Sequence, residues 1–264
     1  VFRGNKAKFP KLAGIVAEAA YLTIYDLTEP GRPMWMRFAV GSSYVLNSTP
    51  TISSVSALNG SVFVASSAAS AGSPQINFPL DYAILWRQSG HISYKGWNLA
   101  RRNSTFFTEV YPLNLVSSVA NAVAMCILPD APIDPATGLQ VPTIAVATAG
   151  GVSVIKHDGT VANQSYTWTI NDWLTISDGW LLYGMSNTNV GFAAIRLADI
   201  TGTTFSGSNF GFSGIGTGVR SQSILGKAKG VLGVRNGTEI QLFKTRLSTL
   251  DKSLKAMIGA TYNT

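Results

Sequence analysis

Hydrophobic and polar positions along this chain alternate with a period of two over short runs, and glycine, asparagine or aspartate breaks each run. The clearest case is residues 141–161. There Ile144, Val146 and Thr148 alternate with alanines, Gly150-Gly151 interrupts, Val152, Val154 and Ile155 resume, and Asp158-Gly159 interrupts again before Thr160-Val161. Glycine, and to a lesser degree aspartate, tolerates the positive φ of tight turns, so this stretch predicts three short antiparallel strands.

The same signals predict the remaining elements. Residues 12–20 read as a strand, followed by strands at 21–26 and 34–40 around the turn cluster Glu29-Pro30-Gly31-Arg32-Pro33. Asn59-Gly60 joins strands at 52–58 and 61–66, the strongest short-range hairpin signal available. After a polar loop at 69–75, strands are expected at 82–87 and 91–95, with residues 115–119 opening a new unit that a Pro- and Asp-rich loop at 129–138 interrupts. Strands at 172–177, 180–185 and 190–197 follow. A Gly/Ser/Thr/Phe-rich loop at 202–218 then precedes strands at 223–230, 231–234 and 238–243.

Aligning the hairpins at Asn59-Gly60, Asp178-Gly179 and Lys229-Gly230 gives a repeat of roughly 50 to 60 residues, near the length of one propeller blade with decorated loops. The expected fold is therefore all-β, with β-propeller-like repeats of four-stranded antiparallel units; a β-sandwich is the alternative, although it gives no reason to repeat at blade length. The expected organisation is a basic connecting segment over residues 1–20, a β domain over 21–246 and a connecting segment over 247–264. Residues 247–257 of the last carry helix-compatible leucine spacing. The start at Val1 is read as belonging to a longer polypeptide.

Composition narrows the function classes. Hydrophobic residues make up 46% of the 264, which excludes disorder, while only 12% are charged and 26 are glycine. The formal charge of +7 comes from dispersed residues apart from an N-terminal group (Arg3, Lys6, Lys8, Lys11) and a C-terminal one (Lys244, Arg246, Lys252, Lys255). Neither group is interleaved with aromatics as a single-strand groove requires, so no nucleic-acid partner is expected. Cys126 is alone, which excludes an intrachain disulfide, and it is expected to be a buried, unreactive core side chain. No apolar run is long enough for a transmembrane helix, and no membrane insertion is expected.

Candidate chemistry is sparse. His91 and His157 are the two histidines and both sit beside turns, so neither a Ser/His/Asp triad nor a multi-histidine metal site can be assembled. The acids Glu18, Asp81, Glu109, Asp130, Asp134, Asp172 and Asp199 show no spacing that pairs two carboxylates for glycoside hydrolysis. His157-Asp158-Gly159-Thr160 is superficially like the aspartate box of sialidase propellers but lacks its flanking Ser and Trp. The loop holding Asp130 and Asp134 lacks the ligand alternation of a calcium loop. No catalytic residue, metal ligand or cofactor is assigned. Among the tryptophans, Trp35, Trp86 and Trp180 read as core plugs. Trp97 with Asn98, followed by Arg101 and Arg102, has the flat aromatic face and polar donors of a glycan-binding surface.

Residues 12–26 with Pro33-Met34-Trp35-Met36, and again residues 142–161, resemble large virion proteins of tailed bacteriophages, particularly those infecting marine bacteria. The resemblance lies in repeat style and carries no functional residue. It implies a structural subunit of the particle, in the tail or a tail fibre, assembled in the host cytoplasm, with other virion proteins and copies of itself as partners and a host surface glycan as a further ligand. The alternative from a different class is a carbohydrate-active propeller enzyme such as a tailspike depolymerase.

Overall fold

The computed structural model describes residues 9–41, 44–47, 51–68, 72–93, 99–104, 110–165, 170–177, 179–185, 191–211, 221–228, 231–236, 239–244 and 259–262. The chain is all-β and folds into five successive sheets, each a meander of strands adjacent in sequence. The first holds β1 (Ala13–Ala17), β2 (Tyr21–Asp26), β3 (Met34–Gly41) and β4 (Leu46–Asn47). The second runs through β5 (Ile52–Leu58), β6 (Ser61–Ser66), β7 (Ser73–Asn77), β8 (Tyr82–Arg87), β9 (Gly90–Ser93) and β10 (Val110–Tyr111). The third comprises β11 (Ala120–Cys126), β12 (Thr143–Thr148), β13 (Gly151–Ile155) and β14 (Val161–Ser165). The fourth comprises β15 (Ile170–Ser177), β16 (Trp180–Met185), β17 (Gly191–Arg196) and β18 (Ser208–Gly211), and the fifth β19 (Ser221–Ala228), β20 (Val231–Asn236), β21 (Glu239–Lys244) and β22 (Gly259–Tyr262).

Turn chemistry sets these registers. Asn59 and Gly60 take φ of 49° and 72°, the left-handed pair that a two-residue hairpin requires, and β5 and β6 pair from Leu58↔Ser61 onward. At Gly151 a Cβ would sit 1.9 Å from the Gln164 carbonyl oxygen, so only glycine lets β13 approach β14 this closely.

Alternate residues of a strand point to opposite faces, and here both faces are buried. Val62, Val64, Ile76, Ala83 and Leu85 turn toward the first sheet and join one apolar cluster with Leu22, Ile24, Met36 and Phe38. Phe63, Ala65 and Trp86, one position out of phase, turn toward the third sheet and pack with Val123, Ile144, Val146, Ile155 and Val161. The third sheet's other face is alanine-rich: Ala122, Ala145, Ala147 and Ala162 receive Leu174, Leu181 and Tyr183 of the fourth. The first four sheets therefore stack face on face in chain order. Leading strands are neighbours, β5 beside β11, β11 beside β15 and β15 beside β19. Ser53 Oγ on β5 donates to the Ala120 carbonyl on β11 at 2.7 Å, tying two of them together.

Several expectations need correction. Residues 115–119 form no strand; Leu115 is instead a fully buried plug between the second and third sheets, with Val116 N–H donating to Ser153 Oγ at 2.9 Å, and β11 opens the third sheet. The second unit has six strands instead of four because β7 lies partly in the expected polar loop and β10 returns to pair with β9. β4 runs parallel to β3, so the first unit is not wholly antiparallel. β18 occupies part of the expected 202–218 loop because the edge of β17 completes its ladder, while β1 falls within the strand expected at 12–20. The expected helix at 247–257 lies outside the described residues.

Face-on-face burial makes a quantitative demand. Phe63→Ala should cost about 3–5 kcal/mol of unfolding free energy by urea denaturation. Ala145→Leu, which adds volume where Ala145 is fully buried, should cost about 1–3 kcal/mol. A neutral Ala145→Leu would show slack between the third and fourth sheets and refute the tight stack.

Candidate functional site

The glycan-binding candidates fall on the segment that returns from β9 to β10. Trp97 and Asn98 lie outside the described residues. The turn that follows, 99–104, is docked against the first sheet. Arg102 is buried, its Nε donates to the Arg37 carbonyl at 2.5 Å, and its guanidinium carbon lies 5.7 Å from the Phe38 ring centroid. The Asn103 carboxamide oxygen accepts the Ala39 N–H at 2.7 Å, and the Arg102 carbonyl accepts the Val45 N–H at 3.5 Å. Arg102 thus works as an anchor for the turn, while Arg101 is exposed on it.

The chain then re-enters the second sheet at β10, a strand that no local pattern predicts. His91 is buried between two aromatic rings: Tyr111 stacks on it at 4.9 Å and 9°, and Trp86 lies at 4.7 Å and 40°. His91 Nδ1 is 3.1 Å from the Leu113 carbonyl oxygen, which requires that nitrogen to carry the proton and donate. Trp86 Nε1 in turn donates to Gln75 Oε1 at 3.0 Å. The histidine pins residues 110–113 to the sheet, and burial lowers its pKa below the usual value, with the Leu113 carbonyl opposing.

The acidic candidates are occupied locally. Asp158 Oδ1 accepts from Thr160 N at 2.9 Å and from Thr160 Oγ1 at 2.6 Å; the Thr160 hydroxyl is the largest cause of its lowered pKa. Asp26 Oδ1 accepts from Thr28 N at 2.9 Å, and Asp134 Oδ1 from Ala136 N at 2.8 Å. Tyr82 has its pKa raised by burial and then by the charge of Asp134. No three His, Cys, Asp or Glu side chains among the described residues group as metal ligands do. Glu109 and Asp178 lie outside the described residues. Trp35 and Trp86 are buried core residues, and Trp180 is half-buried with the Arg196 guanidinium carbon 5.8 Å from its ring centroid. Cys126 ends β11 and is half-buried instead of fully buried, packed at the margin of the apolar cluster between the third and fourth sheets. Burial still pushes its thiol up to about 11.

Two measurements check these assignments. With the folded-state pKa of His91 depressed, the unfolded chain binds the proton first; stability should be full above about pH 7 and fall as the pH drops toward about 5. His91→Phe, which keeps a stacked ring and cannot titrate, should flatten that slope in thermal melts across the range. Cys126 should react with a thiol reagent at pH 8 roughly a hundredfold more slowly than a free cysteine, accelerating about tenfold per pH unit; labelling as fast as the free thiol would contradict its half-buried place on β11.

No family model matches the chain, and no curated protein matches it. Among solved structures it is similar to the extracellular domain of the hybrid two-component system BT3049 of B. thetaiotaomicron, at 15% identity and TM-score 0.51, over 89% of this chain and 27% of that one. It is also similar to the computationally designed Ika8 protein, at 9% identity and TM-score 0.43 over 90% and 69% of the two chains. PorZ, a surface component of the type-IX secretion system of Porphyromonas gingivalis, aligns at 9% identity and TM-score 0.37 over 96% and 32%. The chain thus spans about a quarter of the first of these proteins, none of the three is described as a virion protein, and at such identities the BT3049 likeness is one of fold alone.

Proposed function

We propose that the chain is a structural subunit of a tailed-bacteriophage particle, in its tail or a tail fibre, and that it works by holding contacts with other virion proteins and with copies of itself. On this reading the five meanders are propeller-like blades arranged about the line of their leading strands. The observation that carries the reading is how the polar side chains are used. Arg102 and Asn103 fasten a loop to the first sheet, Asn59 Nδ2 donates to the Gln140 carbonyl to hold the 129–141 loop, and Lys156 Nζ donates to the Thr201 and Gly202 carbonyls. Loops held in shape on a rigid frame suit recognition by contact. General acid–base chemistry would instead call for titratable groups converging with shifted pKa values.

The segments that resemble phage virion proteins, residues 12–26 and 142–161, are frame strands of the first and third sheets. They bear on assembly more than on chemistry. A host surface glycan is the second ligand in this proposal, with Trp97, Asn98 and Arg101 contacting sugar and Arg102 fixing the turn beneath them.

Immunogold labelling of intact particles with antibody against this chain should decorate the tail. The purified protein incubated with host polysaccharide should leave it uncleaved. Labelling absent from particles would overturn the virion reading, and fragments that vanish in Asp158→Asn would replace it with the depolymerase.

A further inference from the structure

β10 is the shortest strand of the second sheet and forms its outer edge. It pairs with β9 through two positions, Val110↔Ile92 and Tyr111↔His91. Val110 is 69% exposed, Tyr111 37% and Leu113 38%, so residues 110–113 bury little apolar surface to hold them in place. His91 supplies the hold, with the Tyr111 ring parallel to it and its Nδ1 donating to the Leu113 carbonyl at 3.1 Å.

The chain is fastened separately on either side of this segment. Upstream, buried Arg102 donates to the Arg37 carbonyl and the Asn103 side-chain oxygen accepts the Ala39 N–H, both on the first sheet. Downstream, Asn114 Nδ2 donates to the Gln88 carbonyl at 2.9 Å and the Leu115 N–H to the Arg87 carbonyl at 3.0 Å, with Leu115 buried between the second and third sheets. None of these contacts involves His91. Residues 110–113 can therefore leave β9 without unravelling either neighbour, the kind of local opening that weakly buried segments undergo at low cost.

We propose that His91 is an acid-released latch, whose protonation detaches residues 110–113 from β9 while the sheets stay folded, baring the outer edge of β9. Histidine is the side chain that ordinarily titrates in the range where such a device works. Between Trp86 at 4.7 Å and Tyr111 at 4.9 Å, a charged ring loses water and meets no compensating acid on the strands beside it. β8 presents Trp86 to the ring and turns Arg87, next along, to its opposite face; β10 presents the Tyr111 phenol, and the segment after it the Leu113 carbonyl. The third sheet meets Trp86 through apolar residues such as Ile155 and Val161. No Asp or Glu occurs in β8, β9 or residues 110–114, and Glu109, two positions before Tyr111, lies outside the described residues.

Burial accordingly lowers the pKa of His91, with the Leu113 carbonyl opposing. The latched form binds the proton more weakly than the released form. Its hold is complete above the ordinary histidine value of about 6.5 and declines as the pH falls below it. The latch acts wherever the chain is assembled, so it does not rest on the virion reading.

Solution NMR on the intact chain, from about pH 7.5 to about pH 5, reads both halves of the device. The His91 imidazole should titrate with a midpoint below about 6.5. Its Overhauser contacts with the Tyr111 ring should fade at the same midpoint, while those between the core rings Phe38 and Phe78 persist. In His91→Phe, whose ring cannot titrate, the contact with Tyr111 should survive to the acid end of the range. Tyr111→Ala opens one side of the histidine to water and should raise its midpoint toward the ordinary value. A wild-type midpoint at or above about 6.5, as a cation favoured between two π faces would give, would overturn the proposal. So would a Tyr111 contact that outlasts protonation, one lost at the same pH in His91→Phe, a midpoint unmoved in Tyr111→Ala, or a Phe38–Phe78 contact that disappears together with that of Tyr111.

Discussion

Burial of both faces of the inner sheets is the constraint on which the rest of the structure depends. Val62 and Val64 belong to one apolar cluster and their immediate neighbours Phe63 and Ala65 to another. A slip of one residue in β6 would exchange the two sets and present aromatic bulk where valines fit. The register is therefore held at the turns: by the left-handed pair Asn59-Gly60 at one hairpin, and by the approach of Gly151 to Gln164 at another. Tyr183, fully buried between the third and fourth sheets, adds a polar fastening, its hydroxyl donating to the Gln164 side-chain oxygen.

Much of the frame was legible because hairpin chemistry is local. The strands at 21–26, 52–58, 61–66, 82–87 and 180–185 follow from alternation and from the turn residues between them, and their bounds agree with those observed. What escaped notice depends on distant partners. β7 begins Ser73-Pro74-Gln75, an unpromising strand sequence; it forms because Pro74, which has no N–H to donate, pairs with Leu85 while Gln75 accepts from Trp86. Residues 115–119 carry β-branched and aliphatic residues as a strand would, but Ser153 and the Arg87 carbonyl capture their N–H groups, donated by Val116 and Leu115, and Leu115 fills a space between sheets. The burial of Arg102 was not legible at all, because its acceptor is a carbonyl 65 residues away.

The candidate site shows the same division. That Trp35 and Trp86 are core residues could be argued from their strand contexts, and their burial agrees. The sandwich of His91 between Trp86 and Tyr111 could not be, since nothing local predicts that a chain leaving β9 returns at β10. A buried histidine whose ring nitrogen donates to a backbone carbonyl keeps that bond when protonated, but burying the charge between two aromatic rings costs more than the carbonyl returns. It therefore couples the placement of Tyr111, and of the loop that leads to it, to the protonation of one ring.

The three described junctions are filled by side chains of different size. Between the first and second sheets lie Trp35, Phe38 and Phe78, with Phe9 edge-on to Trp35 at 5.4 Å. Between the second and third lie Phe63 and Trp86 against branched aliphatics, and between the third and fourth, alanines against Leu174, Leu181 and Tyr183. Interiors pack near crystal density, so side-chain volume sets how far apart two sheets stand. An alanine face lets its neighbour approach closely, and an aromatic face holds it off. At their leading strands the later sheets converge at both kinds of junction, β5 with β11 beside Phe63 and Trp86 and β11 with β15 beside the alanines. The first sheet is thus held to the second through its rings, and shrinking them would change the angle between the two sheets.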